Sequence, residues 1–238
     1  MDAALGEFLG TAVLIVLGDG VVAGVLLNQS KAKDAGWIAV TAGWAFAVMA
    51  GVFTARAAGA PGFINPVGPF AAALTGAMAT DRALLLAGAE LAGAFVGAVV
   101  VWLHYLPHWA LTTDPAAKLA VFATGPAVRA PGANLLSEAV ATFVLVLVGS
   151  AILEKEIGRG FVAPLGAALV WGIGLSLGGT TGYAINPARD LGPRLAHALL
   201  PIPGKGSSDW GYAWVPVIGP LLGGGLAALV AKEVFVTP

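Results

Sequence analysis

The sequence has no cysteine, which excludes a disulfide framework and any thiolate metal site. Its three histidines, His104, His108 and His197, are scattered and form no cluster of metal-ligand spacing. No metal and no cofactor is therefore expected. Charge is scarce too. Lys and Arg number 12 and Asp and Glu 13, which is 11% of the chain and a net charge of −1. A nucleic-acid partner would call for a basic face, and none is available. A soluble domain carries about 25% charged residues, so too little polar surface exists here to cover a water-soluble globule. What the chain has instead is apolar residues, 58% of the total, with a mean hydropathy of +0.87. Burial in a lipid bilayer accounts for both. The first apolar run has no basic residue ahead of it and carries Glu7 early, so it does not read as a cleavable signal.

A membrane-crossing helix needs roughly 20 mostly apolar residues. Six stretches qualify, at about 5–27, 37–57, 83–106, 135–153, 161–177 and 212–234. Two more apolar stretches, from Pro66 to about Met78 and from Pro187 to about Leu199, are too short to span. Both begin at Asn-Pro, and asparagine at a cap followed by proline at the first helical position is a strong helix start. They read as half-helices that enter the membrane and turn back, which is tolerated where such backbone packs in protein or lines a wet cavity. The expected fold is an all-α membrane protein of six transmembrane helices and two re-entrant half-helices. Lys and Arg are spread over both sides, with Arg82, Lys155, Arg159 and Lys232 on one and Lys31, Lys33, Lys118, Arg129 and Lys205 on the other. Charge bias therefore does not distinguish the two orientations.

Landmarks recur in order. Glu7 and Thr11 match Glu138 and Thr142; Trp44 matches Trp171; Asn65-Pro66 matches Asn186-Pro187; Gly93 and Gly97 match Gly219 and Gly223. The separations are 131, 127, 121 and 126 residues, so the drift sits in loops. Each copy is span, span, half-helix, span. Three spans per copy turn the second upside down relative to the first, an inverted repeat. The chain divides into a first repeat over 1–106, a connecting loop over 107–134 and a second repeat over 135–238, together one channel domain spanning 1–238. Glycines in the third and sixth spans, Gly88, Gly93, Gly97 and Gly219, Gly223, Gly224, Gly225, allow close helix contact.

An ionisable residue inside a span costs about 2.5–3.5 kcal/mol on insertion scales and must find a partner. Glu7 and Glu138 are either proton relays or acceptors for exposed backbone donors of the adjacent re-entrant loop. The second is preferred because they are duplicated with the scaffold. Glu90 is expected at a helix end or pore mouth. Arg189 stands three residues after Asn186 in the first turn of the second half-helix, with no arginine at the matching place in Asn65-Pro66-Val67-Gly68. It is either a constriction that donates hydrogen bonds to polar solutes and repels cations or one half of an ion pair with Asp190. Two half-helices entering from opposite sides bring their N-termini together, each carrying about half a positive charge. That arrangement opposes protons and cations and leaves two asparagine amides to donate to a passing oxygen.

These residues carry a family likeness. Gly6-Glu7-Phe8-Leu9-Gly10-Thr11, the run from Gly182 through Tyr183, Ala184, Ile185, Asn186, Pro187, Ala188 and Arg189 to Asp190, and Gly192-Pro193-Arg194 resemble the major intrinsic proteins, the aquaporins and glycerol facilitators. The resemblance covers essentially the whole chain and is nearest to the bacterial glycerol uptake facilitators. Asp190 after the arginine, Pro216-Val217, and the loop from Leu200 to Ser207 followed by Asp209-Trp210 look like the glycerol branch. The resemblance implies an aquaporin-like right-handed bundle assembled as a homotetramer with one pore per subunit, and the compact loops suit a cell membrane, that of a prokaryote. It implies a selectivity filter of Trp44, Gly174, Tyr183 and Arg189. The two aromatics would form an apolar wedge, Arg189 would bind hydroxyls, and Gly174 would leave space that a histidine fills in water-selective members. The central motifs would be Asn65, Pro66, Val67 and Asn186, Pro187, Ala188, with Glu7, Glu138 and Asp190 as structural support. Two departures stand out. Phe63 occupies a place where members usually have histidine, and Val67-Gly68-Pro69-Phe70 replaces the usual Ala-Val-Thr run. The valine adds bulk near the central constriction, and the phenylalanine removes a polar group from one pore half.

The function this implies is passive passage of glycerol, related small neutral solutes and water across the bilayer, with no catalysis. A water-selective channel is the nearest alternative, against which Gly174 and Asp190 speak. An ion-coupled inverted-repeat transporter would need a carboxylate at its substrate site. An intramembrane enzyme would need a nucleophile and base, and the sequence offers no such pair.

Overall fold

The computed structural model describes residues 2–154 and 159–235, and Lys155 lies outside them. Helix α1, Ala3–Leu26, starts where the Asp2 side chain accepts from the Ala4 amide. Helix α2 is Gly36–Ala57, the half-helix α3 is Val67–Leu74, and α4 is Thr80–His104. The second set is α7, Pro131–Glu154, α8, Val162–Leu177, the half-helix α9, Pro187–Leu199, and α10, Val215–Phe235. Of the six expected spans, α1, α2, α4, α7 and α10 are long and apolar enough to cross a membrane. The sixth, α8, is apolar and shorter, with 16 residues. The first half-helix ends at Leu74, four residues short of the expected Met78.

The stretch 107–134 is not a plain connecting loop. It holds α5, Leu106–Leu111, and α6, Pro115–Phe122. Asp114 caps α6 by accepting from the Ala116 amide, and Pro115 takes the first helical position, a start signal of the same kind as Asn-Pro. The helix packs on α1 and α9. Phe122 stacks on Trp109 and tilts against His197 of α9. This packing carries Thr124 to the second half-helix.

The packing obeys the inverted repeat. α1 lies against α4 as α7 lies against α10, α1 against α2 as α7 against α8, and α3 against α10 as α9 against α4. One landmark shifts. A Cβ on Gly93 would come within 2.2 Å of the Phe8 carbonyl oxygen, and a Cβ on Gly223 within 1.9 Å of the Ala139 carbonyl oxygen. Phe8 and Ala139 each follow the glutamate of their repeat. Gly93 therefore corresponds to Gly223, one helical turn beyond the expected Gly219. Only a residue without a side chain lets the two backbones meet at that point. In this register Glu90 corresponds to Pro220 and Ala94 to Gly224.

Candidate functional site: a narrow pore between two half-helices

Each glutamate ties down one re-entrant loop. Glu7 accepts from the Gly62 amide at 2.7 Å, Phe63 at 3.0 Å and Ile64 at 2.7 Å. Glu138 accepts from the Thr181 hydroxyl at 2.6 Å and from the Ala184 and Ile185 amides at 2.9 Å each. These loops need holding. Ile64 and Ile185 sit at φ 46° and 44°, a region a β-branched residue avoids, at a cost of about 1–3 kcal/mol each. The strain turns both isoleucine carbonyls toward the opposite loop. Asn65 Nδ2 donates to the Ile185 oxygen and Asn186 Nδ2 to the Ile64 oxygen, both at 2.8 Å. Each asparagine also caps its own half-helix, Asn65 Oδ1 accepting from Val67 and Asn186 Oδ1 from Ala188 and Arg189. One amide hydrogen of each asparagine is thus spent on the crosslink, and the second is available. Pro66 and Pro187 follow directly, and the two half-helix N-termini meet at the centre of the bundle.

Three cavities run through this junction. The middle one, about 100 Å³, is walled by Asn65, Asn186 and the apolar side chains of Leu14, Val48, Val52 and Val170. Trp44, Tyr183 and Arg189 separate it from a vestibule of about 340 Å³. Phe63, Asn65 and Leu145 separate it from a second vestibule of about 630 Å³, which reaches Glu154 and Lys232.

At the first of these necks the Arg189 guanidinium lies over the Trp44 ring, its Cζ 4.0 Å from the ring centroid, a cation–π arrangement. Trp44 in turn rests on the bare backbone of Gly18, where a Cβ would come within 2.3 Å of the ring. Trp37 meets the Tyr183 ring edge-on at 5.7 Å and donates its Nε1 hydrogen to the Gly174 carbonyl. Gly174 stands behind Tyr183. A Cβ there would be 2.9 Å from Tyr183 Cζ and 3.0 Å from Thr41 Cγ2. The space a larger residue would take is therefore occupied by the Tyr183 ring. Three buried polar atoms at this neck, Trp44 Nε1, Tyr183 Oη and Arg189 Nη1, have no partner among the described residues. The sequence pairing of Trp44 with Trp171 does not carry over to environment, since Trp44 is buried at the neck and Trp171 is exposed.

Asp190 does not pair with Arg189. Its Oδ1 accepts from Arg194 Nε at 2.7 Å, and its Oδ2 from Arg194 Nη2 and from the Thr124 amide and hydroxyl. Position i+4 on a helix faces Asp190, and the adjacent position does not. That frees Arg189 for the pore.

Glu90 is not at a helix end or pore mouth. It is fully buried within α4, with Glu7 and the Asn65 backbone beside it. Val67 is among the residues lining the second vestibule, but most of its bulk is turned away from it. It is 1% exposed and points into α10, where a Cβ on Gly224 would lie 2.2 Å from its Cγ1. The missing side chain of Gly224 accommodates the extra methyl groups. Phe63 does line both inner cavities, and its ring packs on the bare Gly68. Two residues escaped the sequence reading. Trp37, at the start of the second expected span, braces Tyr183. Asp19 is a fully buried carboxylate in α1 with no partner among the described residues, and Arg189 and Asp190 are the charges acting on it. An acidic residue in the middle of the first span was the available signal.

An all-helical bundle with two half-helices crosslinked at their ends over a string of small cavities is a membrane pore. The chain matches the family model of the major intrinsic proteins over residues 1–231 and belongs to that family. It is 53% identical over 226 residues to glycerol uptake facilitator protein 3 of Lactiplantibacillus plantarum, covering 95% of this chain and 94% of that one. It is 53% identical over 236 residues to a probable glycerol uptake facilitator of Thermotoga maritima, covering 99% of this chain and all of that one. The X-ray structure of the aquaglyceroporin from Plasmodium falciparum superimposes with a TM-score of 0.82 at 24% identity, over 97% of this chain and 95% of that one. That likeness carries the fold.

Proposed function

We propose that this protein is a passive channel of the cell membrane for glycerol and related small neutral solutes, passing water and excluding ions and protons. It is not an enzyme. The observation that carries the reading is the neck between the vestibule and the middle cavity. Two aromatic faces there offer apolar contact to a carbon chain, and Arg189 Nη1, Trp44 Nε1 and Tyr183 Oη are buried polar atoms that no protein group among the described residues satisfies. A polyol has both surfaces and a bare ion has neither. The half-helix N-termini and Arg189 add positive potential against cations.

Trp44, Tyr183 and Arg189 form the filter wall in this reading, and Gly174 sets the position of Tyr183. Asn65 and Asn186 donate to the solute at the second contact point, with Pro66, Val67, Pro187 and Ala188 fixing the half-helix starts. Glu7, Glu138 and Asp190 are supports. The chain acts as one channel domain over 1–238, with repeats over 1–106 and 135–238, and assembles as a homotetramer with a pore in each subunit. Native mass spectrometry in a lipid-compatible detergent reads the assembly, and a monomer alone would reject the tetramer.

Stopped-flow light scattering on proteoliposomes tests the main reading. Rapid glycerol entry with a low activation energy, independent of ion gradients, is expected. Flux that saturates and vanishes when a proton or sodium gradient collapses would sink it. Gly174→His, by pushing Tyr183 into the neck, is expected to cut glycerol flux more than water flux.

A further inference from the structure

Glu90 has no part in the channel reading, and its surroundings are unusual. It is fully buried, and neither carboxyl oxygen makes a hydrogen bond of ordinary geometry among the described residues, although the Asn65 backbone N–H approaches it. The Glu7 carboxylate and the Asn65 backbone lie against it. Glu7 is also fully buried and already accepts three backbone N–H groups.

Among the described residues no cation is recorded between them. Of the elements packed against α4, α1 contributes Glu7, while its Asp2 lies at the helix start and its Asp19 lies about 18 Å further along at 1.5 Å per residue. The half-helix α3 has no ionisable side chain. On α9, Arg194 is engaged by Asp190, Arg189 lies over Trp44, and His197 Nδ1 meets the Ser208 hydroxyl. Two bare carboxylates in contact repel, and two acceptors cannot satisfy one another. A shared proton removes both problems.

We propose that Glu90 is a neutral carboxylic acid whose O–H donates to the Glu7 carboxylate, making Glu90 a positioning residue for the first re-entrant loop. The proton belongs on Glu90 because Glu7 is saturated with N–H donors. Its effect reaches the pore through Glu7, which holds the Ile64 amide and with it the carbonyl that receives Asn186. The second repeat supplies the same ingredient differently. Pro220 stands at the matching place, and the O–H that reaches Glu138 comes from Thr181. Each supporting glutamate thus receives one O–H donor besides its backbone amides.

Infrared spectroscopy of the full-length protein in lipid tests the protonation directly. The wild type is expected to show the carbonyl stretch of a buried neutral carboxylic acid, shifted in D2O and missing from Glu90→Gln. In proteoliposomes Glu90→Gln, which keeps a donor, retains wild-type flux. Glu90→Leu, which has none, loses most of it. Identical acid carbonyl bands in wild type and Glu90→Gln overturn the proposal, as does a Glu90→Gln channel that fails as badly as Glu90→Leu. If Glu90→Leu does not fold, the infrared comparison decides alone. The infrared arm is independent of which solute the pore carries.

Discussion

The second re-entrant loop hangs from Glu138 by one hydroxyl and two amides, and the first from Glu7 by three amides. In the second, Asn186-Pro187 is followed by Ala188 and a charged Arg189, and in the first Asn65-Pro66 is followed by Val67 and Gly68. The crosslinks between the two are symmetrical, 2.8 Å in both directions. The geometry at the junction is therefore shared, and the chemistry on either side is not. Duplication fixed the backbone that has to be strained. The side chains behind each loop were free to diverge as long as they still filled space and supplied acceptors. Unpartnered polar atoms of Trp44, Tyr183 and Arg189 gather at the neck beside the second half-helix, while the first half faces a wider vestibule through Phe63.

Removing a support should break this symmetry most. Glu138→Leu strands the Thr181 hydroxyl and the Ala184 and Ile185 amides, each at about 1–3 kcal/mol. We expect loss of most folded channel, read by thermal melting in detergent. A melting point equal to the wild type would mean that Glu138 does not hold the loop. Next comes the packing contrast. Gly224→Val is expected to cost about 1–3 kcal/mol by overpacking against Val67, with Val67→Ala in the same chain restoring the melting temperature. Failure of that rescue would separate Val67 from Gly224. In the second half the mirrored pair is Ala188 and Ala94, so Ala188→Val should destabilise and Ala94→Gly should relieve it. A smaller effect is expected for Thr181→Val, which removes a single neutral O–H donor worth about 1 kcal/mol. A loss as large as that of Glu138→Leu would show that the amides alone cannot hold the loop. The smallest is Phe63→His. It adds a polar group beside the second vestibule and should change the water-to-glycerol flux ratio with little change in melting, which paired osmotic and glycerol assays would read.

Much of this arrangement was legible in the chain. Six apolar runs, two Asn-Pro starts and a paired Glu-x-x-x-Thr pattern follow from local rules about bilayer thickness, helix caps and buried charge. The role of Glu7 and Glu138 as acceptors was legible for the same reason, because a buried carboxylate must find donors and re-entrant backbone has donors to spare. The helices α5 and α6 were masked by a stretch rich in proline and threonine, although Asp114-Pro115 is a start signal of the kind used elsewhere. The one-turn shift of Gly93 onto Gly223 was invisible in a sixth span crowded with glycine. There, only the collision with a neighbouring carbonyl identifies the one that must be bare.

The sequence by itself determined that this is a membrane protein of six spans and two half-helices, since hydropathy, period and capping act along the chain. It also placed Arg189 at the start of the second half-helix. Only the tertiary structure decided that Asp190 turns to Arg194, that Val67 fills the gap at Gly224, that Gly174 makes room for Tyr183, and that Glu90 faces Glu7. Each of those depends on which helix lies behind a residue, and close packing in three dimensions sets that, not spacing along one segment.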